Sequence, residues 1–175
     1  MSDQELFSFA RSGNAVELRR LLADDESDVN VNARDSDGFT PLLLAIKGGH
    51  REVVRLLLQS DADIEDPDKD GNTPLLVAIL WRSREIIRLL LRKDADVEAS
   101  DRIGRTGLMV AASLGDLITV RLLLSEGVDK EAIDDEGNTA LMLAEQQGHG
   151  QVVQLLQPKL PSEVPQKRRG RSHQT

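Results

Sequence analysis

The sequence predicts an all-α solenoid of stacked helix pairs, and three observations carry that prediction. Gly38, Gly71, Gly104 and Gly137 fall 33 residues apart. Thr40, Thr73, Thr106 and Thr139 keep the same register, as do Leu42, Leu75, Leu108 and Leu141, and Ala45, Ala78, Ala111 and Ala144. Aromatic residues are only 2% of the chain, so Leu, Ile, Val and Ala must carry burial, as suits thin layers. Each unit of such an array buries its apolar faces only against its neighbours. The product is a broad surface without a closed pocket, which favours binding over chemistry.

Each copy opens on a turn. The second copy reads Asp-Ser-Asp-Gly-Phe-Thr-Pro-Leu from Asp35, and copies three to five repeat the pattern from Asp68, Asp101 and Asp134. Asp and Gly suit a tight turn. Thr then stands as a helix N-cap, with Pro as the first helical residue. Leu42, Ala45 and Ile46 follow at helical spacing, and the small Ala lets helices approach closely. Gly48-Gly49-His50 breaks the chain. A second helix is predicted from about Arg51 to Ser60, with Val53, Val54, Leu56, Leu57 and Leu58 apolar. Ile86 to Leu91 and Val120 to Leu124 repeat it. A helix this apolar is buried on more than one side.

The boundaries follow the period. Residues 1–34 form a degenerate N-terminal capping repeat, in which Leu6, Ala10, Leu18, Leu21 and Leu22 fit the helix pair with extra residues near Asp24 to Asp28. Full repeats span 35–67, 68–100 and 101–133. Residues 134–157 form a C-terminal capping repeat, made more polar by Gln146, Gln147, Gln151, Gln154 and Gln157. Residues 158–175 contain Pro158, Pro161 and Pro165 and few apolar residues, and are expected to be a disordered basic tail. That stretch holds five cations against Glu163, about +4; the chain's net charge of −8 then leaves about −12 on the body. An acidic body argues against phosphate-backbone binding as the main activity.

Turn, helix, helix and loop at a period of 33, with Thr-Pro-Leu at the first helix, resembles the ankyrin repeat. The resemblance covers roughly residues 4 to 157. It implies an ankyrin-repeat solenoid and a non-enzymatic module that binds a protein partner on a concave face of turn tips and first helices. The sequence also departs from the family pattern. Leu43, Leu76, Met109 and Met142 stand where the family has His. Asp61 and Asp94 replace the Gly after the second helix, Arg82 replaces the Gly between helices, and Gly107 replaces Pro, which predicts a less firmly started helix. Glu65, Glu98 and Glu131 replace the loop Asn, which only Asn32 retains.

By that register the candidate partner-binding residues are Phe39, Lys47, Leu80, Trp81, Arg102, Ile103, Arg105 and Leu114. Phe39, Trp81, Ile103 and Leu114 are apolar where exposure is expected, with Arg102 and Arg105 beside them. Aromatics and Arg dominate interface hot spots, and an exposed apolar strip rimmed by charge marks a partner site. The competing reading folds Trp81 over a neighbouring helix and Phe39 onto the next turn.

No enzyme is predicted. The chain has no Cys; of its three His, His50 and His149 hold the same repeat position three repeats apart and cannot share a metal, and His173 falls in the tail. No nucleophile–base pair or phosphate-cradling Gly loop stands out, so no cofactor, metal or small-molecule substrate is expected. The N-terminus lacks the basic and apolar regions of a secretory signal, and no apolar run approaches a bilayer span. A cytoplasmic monomer is the default. Lys167-Arg168-Arg169-Gly170-Arg171 opens an alternative: a nuclear regulatory protein whose tail mediates import or nucleic-acid contact.

Overall fold

The computed structural model describes residues 2–24 and 29–158. The tail and its Lys167–Arg171 run lie outside the described residues, apart from Pro158. Ten helices run through the described residues: α1 (Ser2–Ser12), α2 (Ala15–Leu22), α3 (Pro41–Lys47), α4 (Arg51–Gln59), α5 (Pro74–Leu80), α6 (Arg84–Leu91), α7 (Gly107–Ser113), α8 (Leu117–Ser125), α9 (Ala140–Gln146) and α10 (Gly150–Leu156). They contain no strand, only an isolated bridge between Ser100 and Thr106.

The first helices α1, α3, α5, α7 and α9 pack on one another in chain order. The second helices lie behind them, α2 on α4, α4 on α6, and α8 on α10. One apolar core runs from Leu6 in copy one to Leu156 in copy five. Leu42, Leu75 and Leu108 are buried at one register position, and Ala45, Ala78, Ala111 and Ala144 at another. The second helices are buried on two sides, as their composition predicts: Val53, Val54, Leu56 and Leu57 in α4, and Ile86, Ile87, Leu89 and Leu90 in α6.

Thr40, Thr73, Thr106 and Thr139 each accept a hydrogen bond from the backbone N–H three residues on, so they cap α3, α5, α7 and α9. Gly107 starts α7 at the register that Pro41 and Pro74 hold in their copies. The capping distance there, 3.5 Å from Thr106 Oγ1 to Met109 N, is the longest of the four. A Cβ on Gly107 would come within 2.9 Å of the Ile79 Cδ1. The Gly replacements also carry their conformation: Asp61, Arg82 and Asp94 have φ of 62°, 53° and 59°.

The loops after the second helices are tied by a ladder of side chains. Asn32 Oδ1 accepts from Asp63 N at 2.8 Å. Glu65 Oε1 accepts from Asp96 N, and Glu98 Oε1 from Asp129 N, both at 2.8 Å. Glu65 and Glu98, which depart from the family pattern, therefore make the same cross-repeat bond as the retained Asn.

Candidate partner-binding face

The turn tips are rigid because each opening Asp holds its own backbone. Asp35, Asp68, Asp101 and Asp134 accept through Oδ1 from the N–H groups two and four residues on, at 2.8–3.1 Å. In Asp134 the backbone N–H of Asn138 is the largest influence and holds the carboxyl below its ordinary range, against a smaller opposing effect of burial. Two tips are also joined by backbone to the preceding copy, Arg102 N to Asp70 O and Asp135 N to Ile103 O, each at 3.1 Å.

Five of the sequence-predicted residues form the exposed surface between these tips and the first helices. Trp81 is 56% exposed, Ile103 50% and Leu80 36%. Arg102 is exposed and Lys47 half-buried. The Lys47 Nζ lies 3.8 Å from the Phe39 ring centroid and 5.9 Å from that of Trp81. It links an aromatic of copy two to one of copy three through cation–π attraction.

The other three differ in detail from the sequence expectation. Phe39 is half-buried, because its ring packs against the core beneath Lys47. Leu114 is half-buried against the core at the end of α7. Arg105 is not a free cation: its guanidinium lies 2.7 and 2.8 Å from the buried Asp101 Oδ2. Trp81 does not fold away over a neighbouring helix.

A buried acceptor beneath this surface escaped sequence reading. Asn72 donates to Asp68 through Nδ2, and its Oδ1 is buried with no partner. In copy five the matching Asn138 Oδ1 receives Gln146 Nε2 at 3.2 Å. The residue at that register in copy three is Leu80, which has no donor. Comparing positions 80 and 146 would have found the orphan.

His50 and His149 stand in separate tight turns, each against the backbone of the preceding copy. Among the described residues no group of three or more His, Cys, Asp or Glu stands together to hold a metal. Nor is any helix there long and apolar enough to cross a membrane.

These features define a class first: a helix-pair solenoid whose candidate site is an open surface. A family model described as "Ankyrin repeats (3 copies)" matches residues 6–101 and 95–167. The chain belongs to the ankyrin repeat family, whose arrays are protein–protein interaction modules and typically not enzymes. Part of it is 44% identical over 66 residues to oxysterol-binding protein-related protein 1 of Homo sapiens, covering 34% of this chain and 7% of that protein. It is 44% identical over 55 residues to acyl-CoA-binding domain-containing protein 2 of Arabidopsis thaliana, covering 31% and 15%. The match to the integrin-linked protein kinase homolog pat-4 of Caenorhabditis elegans is 40% over 55 residues, covering 31% and 11%. The chain thus spans a small fraction of these relatives' lengths.

Proposed function

We propose that the chain holds a protein partner on the face of turn tips and first helices, acting as an adaptor, inhibitor or scaffold. The observation that carries this reading is Trp81, a large aromatic left mostly in solvent beside the Lys47–Phe39 contact. Leu80, Ile103 and Arg102 extend the surface, while Arg105 and Leu114 support its edge. Exposed aromatic and Arg side chains set on rigid elements are the usual anchors of an interface.

The test compares affinity capture by the intact chain with capture by Trp81→Ala and Arg102→Glu variants of matched circular dichroism. Arg105→Glu is the poorer choice, because it would set a carboxylate against the buried Asp101. Proteins held by the intact chain and lost with both variants support the reading. Equal recovery by all three removes it.

A second reading rests on the basic run Lys167–Arg171 in an otherwise acidic chain. In it, the protein is a nuclear regulator whose tail mediates import or nucleic-acid contact. Truncation after Leu156 that leaves localisation and binding unchanged would remove it.

A further inference from the structure

The tight turns between first and second helices form one edge of the array, and the copies are pinned there unequally. His50 covers Gly13 of copy one so closely that a Cβ on Gly13 would come 2.5 Å from its Nδ1. The His50 Nε2 lies 3.1 Å from Arg11 O. His149 covers Gly115 in the same way, with Nε2 2.9 Å from Ser113 O. Between copies three and four, Arg82 donates to Leu114 O at 2.6 Å. Between copies two and three the histidine position holds Ser83, and a Cβ on Gly49 would have nothing within 4 Å. The Lys47 carbonyl, which corresponds to those of Arg11 and Ser113, has no imidazole against it.

The unfilled space belongs to a cleft of about 240 Å³, lined by Gly49, Arg51, Arg82, Ser83, Arg84 and Glu85 over Ile86. Whole small-molecule sites run to about 300–1,000 Å³, so this cleft suits one group of a larger ligand. Its charge balance is positive. The Arg51 guanidinium has no partner among the described residues, and Arg82 donates only to a neutral carbonyl. Arg84 is held by Asp116 at 3.4 Å, and Glu85 by Arg88 at 3.8 Å. Two cations are left uncompensated in a body of about −12. The N–H groups of Ser83, Arg84 and Ile86 are already bonded to Ala78 O, Arg82 O and Ser83 O, so the donors that the cleft offers are the two guanidiniums, with the positive end of the α6 dipole behind them. Arg82 holds a left-handed φ of 53°, a conformation that costs a non-glycine residue energy and persists where the surroundings enforce it.

We infer that this cleft receives a phosphoryl group carried on a side chain of the protein partner. A phosphorylated side chain brings about −1.5 to −2 charges and three acceptor oxygens, which match the two guanidiniums of Arg51 and Arg82 that no carboxylate compensates. A carboxylate brings a single charge and two oxygens. Trp81 and Arg82 are consecutive, so one bound segment can lay an aromatic contact on the face and a phosphoryl group in the cleft. The word protein rests on the function proposed above; the phosphoryl assignment rests on the cleft alone.

The test is a two-dimensional amide NMR titration of the full chain with inorganic phosphate, a blocked phosphoserine tripeptide and, at equal ionic strength, acetate. Phosphate and phosphoserine should give saturable shifts at Ser83 to Ile86 and at Arg51, with acetate at least tenfold weaker. Arg51→Ala should weaken them at least tenfold, as should Arg82→Gly, which relaxes the backbone and so removes misfolding as an explanation. Ser83→His should fill the cleft and block both ligands, and Trp81→Ala should leave the phosphate titration unchanged. Absence of saturable shifts, persistence of them in Arg82→Gly, or equal binding of acetate would overturn the assignment. Phosphoinositide vesicles that bind through Arg82 while phosphoserine does not would overturn it in favour of a membrane. If Trp81→Ala loses the partner while phosphate never binds, the cleft reading fails and the interaction face stands.

Discussion

At the scale of single residues, three positions hold energy that substitution can recover or release. Arg82 has φ 53° where the family has Gly. Left-handed backbone costs a non-glycine residue about 1–2 kcal/mol, while the exposed bond to Leu114 O that Arg82→Gly gives up is worth less. Arg82→Gly is therefore expected to raise stability by about 1 kcal/mol, read as a higher urea midpoint at unchanged slope. Leu80→Gln copies the Gln146–Asn138 bond of copy five into copy three and gives the buried Asn72 Oδ1 a donor. An unsatisfied buried polar group costs about 1–3 kcal/mol, so stability should rise while partner capture falls. A variant less stable than the parent would refute that pairing. Asp116 contributes to the acid response. Burial opposes its charge, yet the Thr119 hydroxyl and amide and the nearby Arg84 together hold its carboxyl below the ordinary range. A lowered folded value means the contribution is full above the unfolded value, about 4, and is lost as pH falls through the folded one. Urea midpoints measured downward from pH 7 should show a shallower acid loss in Asp116→Asn than in the parent.

At the scale of helices, the capping Thr decides where each pair begins. Thr40 is buried and caps α3 at 3.2 Å from Leu43 N. Thr40→Ala should cost about 1 kcal/mol, up to about 2, and Thr40→Ser should recover most of it. Thermal melts of the two variants check this. These caps were legible because Thr recurs in register directly before the apolar stripe. The left-handed conformations at Asp61, Arg82 and Asp94 were legible for a related reason, as departures from a glycine column. The face was only partly legible. Register placed Trp81, Ile103 and Leu80 outward, but burial at a turn depends on what the next copy supplies. Phe39 is covered because Lys47 reaches over its ring, and Arg105 is occupied because Asp101 lies four residues before it. Neither fact follows from the period, which describes what the copies share. The vacant space at Gly49 is of the same kind, since it appears only when Ser83 is set beside His50 and His149 in three dimensions.

At the scale of the molecule, a linear array is stabilised by each copy and by each junction with its neighbours. Hydrogen exchange should therefore be slowest in α3, α5 and α7, each packed between two other first helices, and faster in α2 and α10. Uniform protection across the copies would contradict a nearest-neighbour description. The junctions are not equivalent either. Histidine rings pin copy one to two and copy four to five, and Arg82 with the bonded turn tips pins three to four. Between copies two and three the polar ties are the Glu65 bond to Asp96 N and the reach of Lys47 from Phe39 to Trp81; the remainder is apolar packing. Bending the array thus disturbs fewer directional bonds at its middle than at its ends, which makes that junction its softest joint. A ligand that lies across Phe39 and Trp81 bridges the joint like a splint. Its grip is then felt as stiffness along the whole rod, and the curvature of the bound form is set at the place where the free form yields most easily.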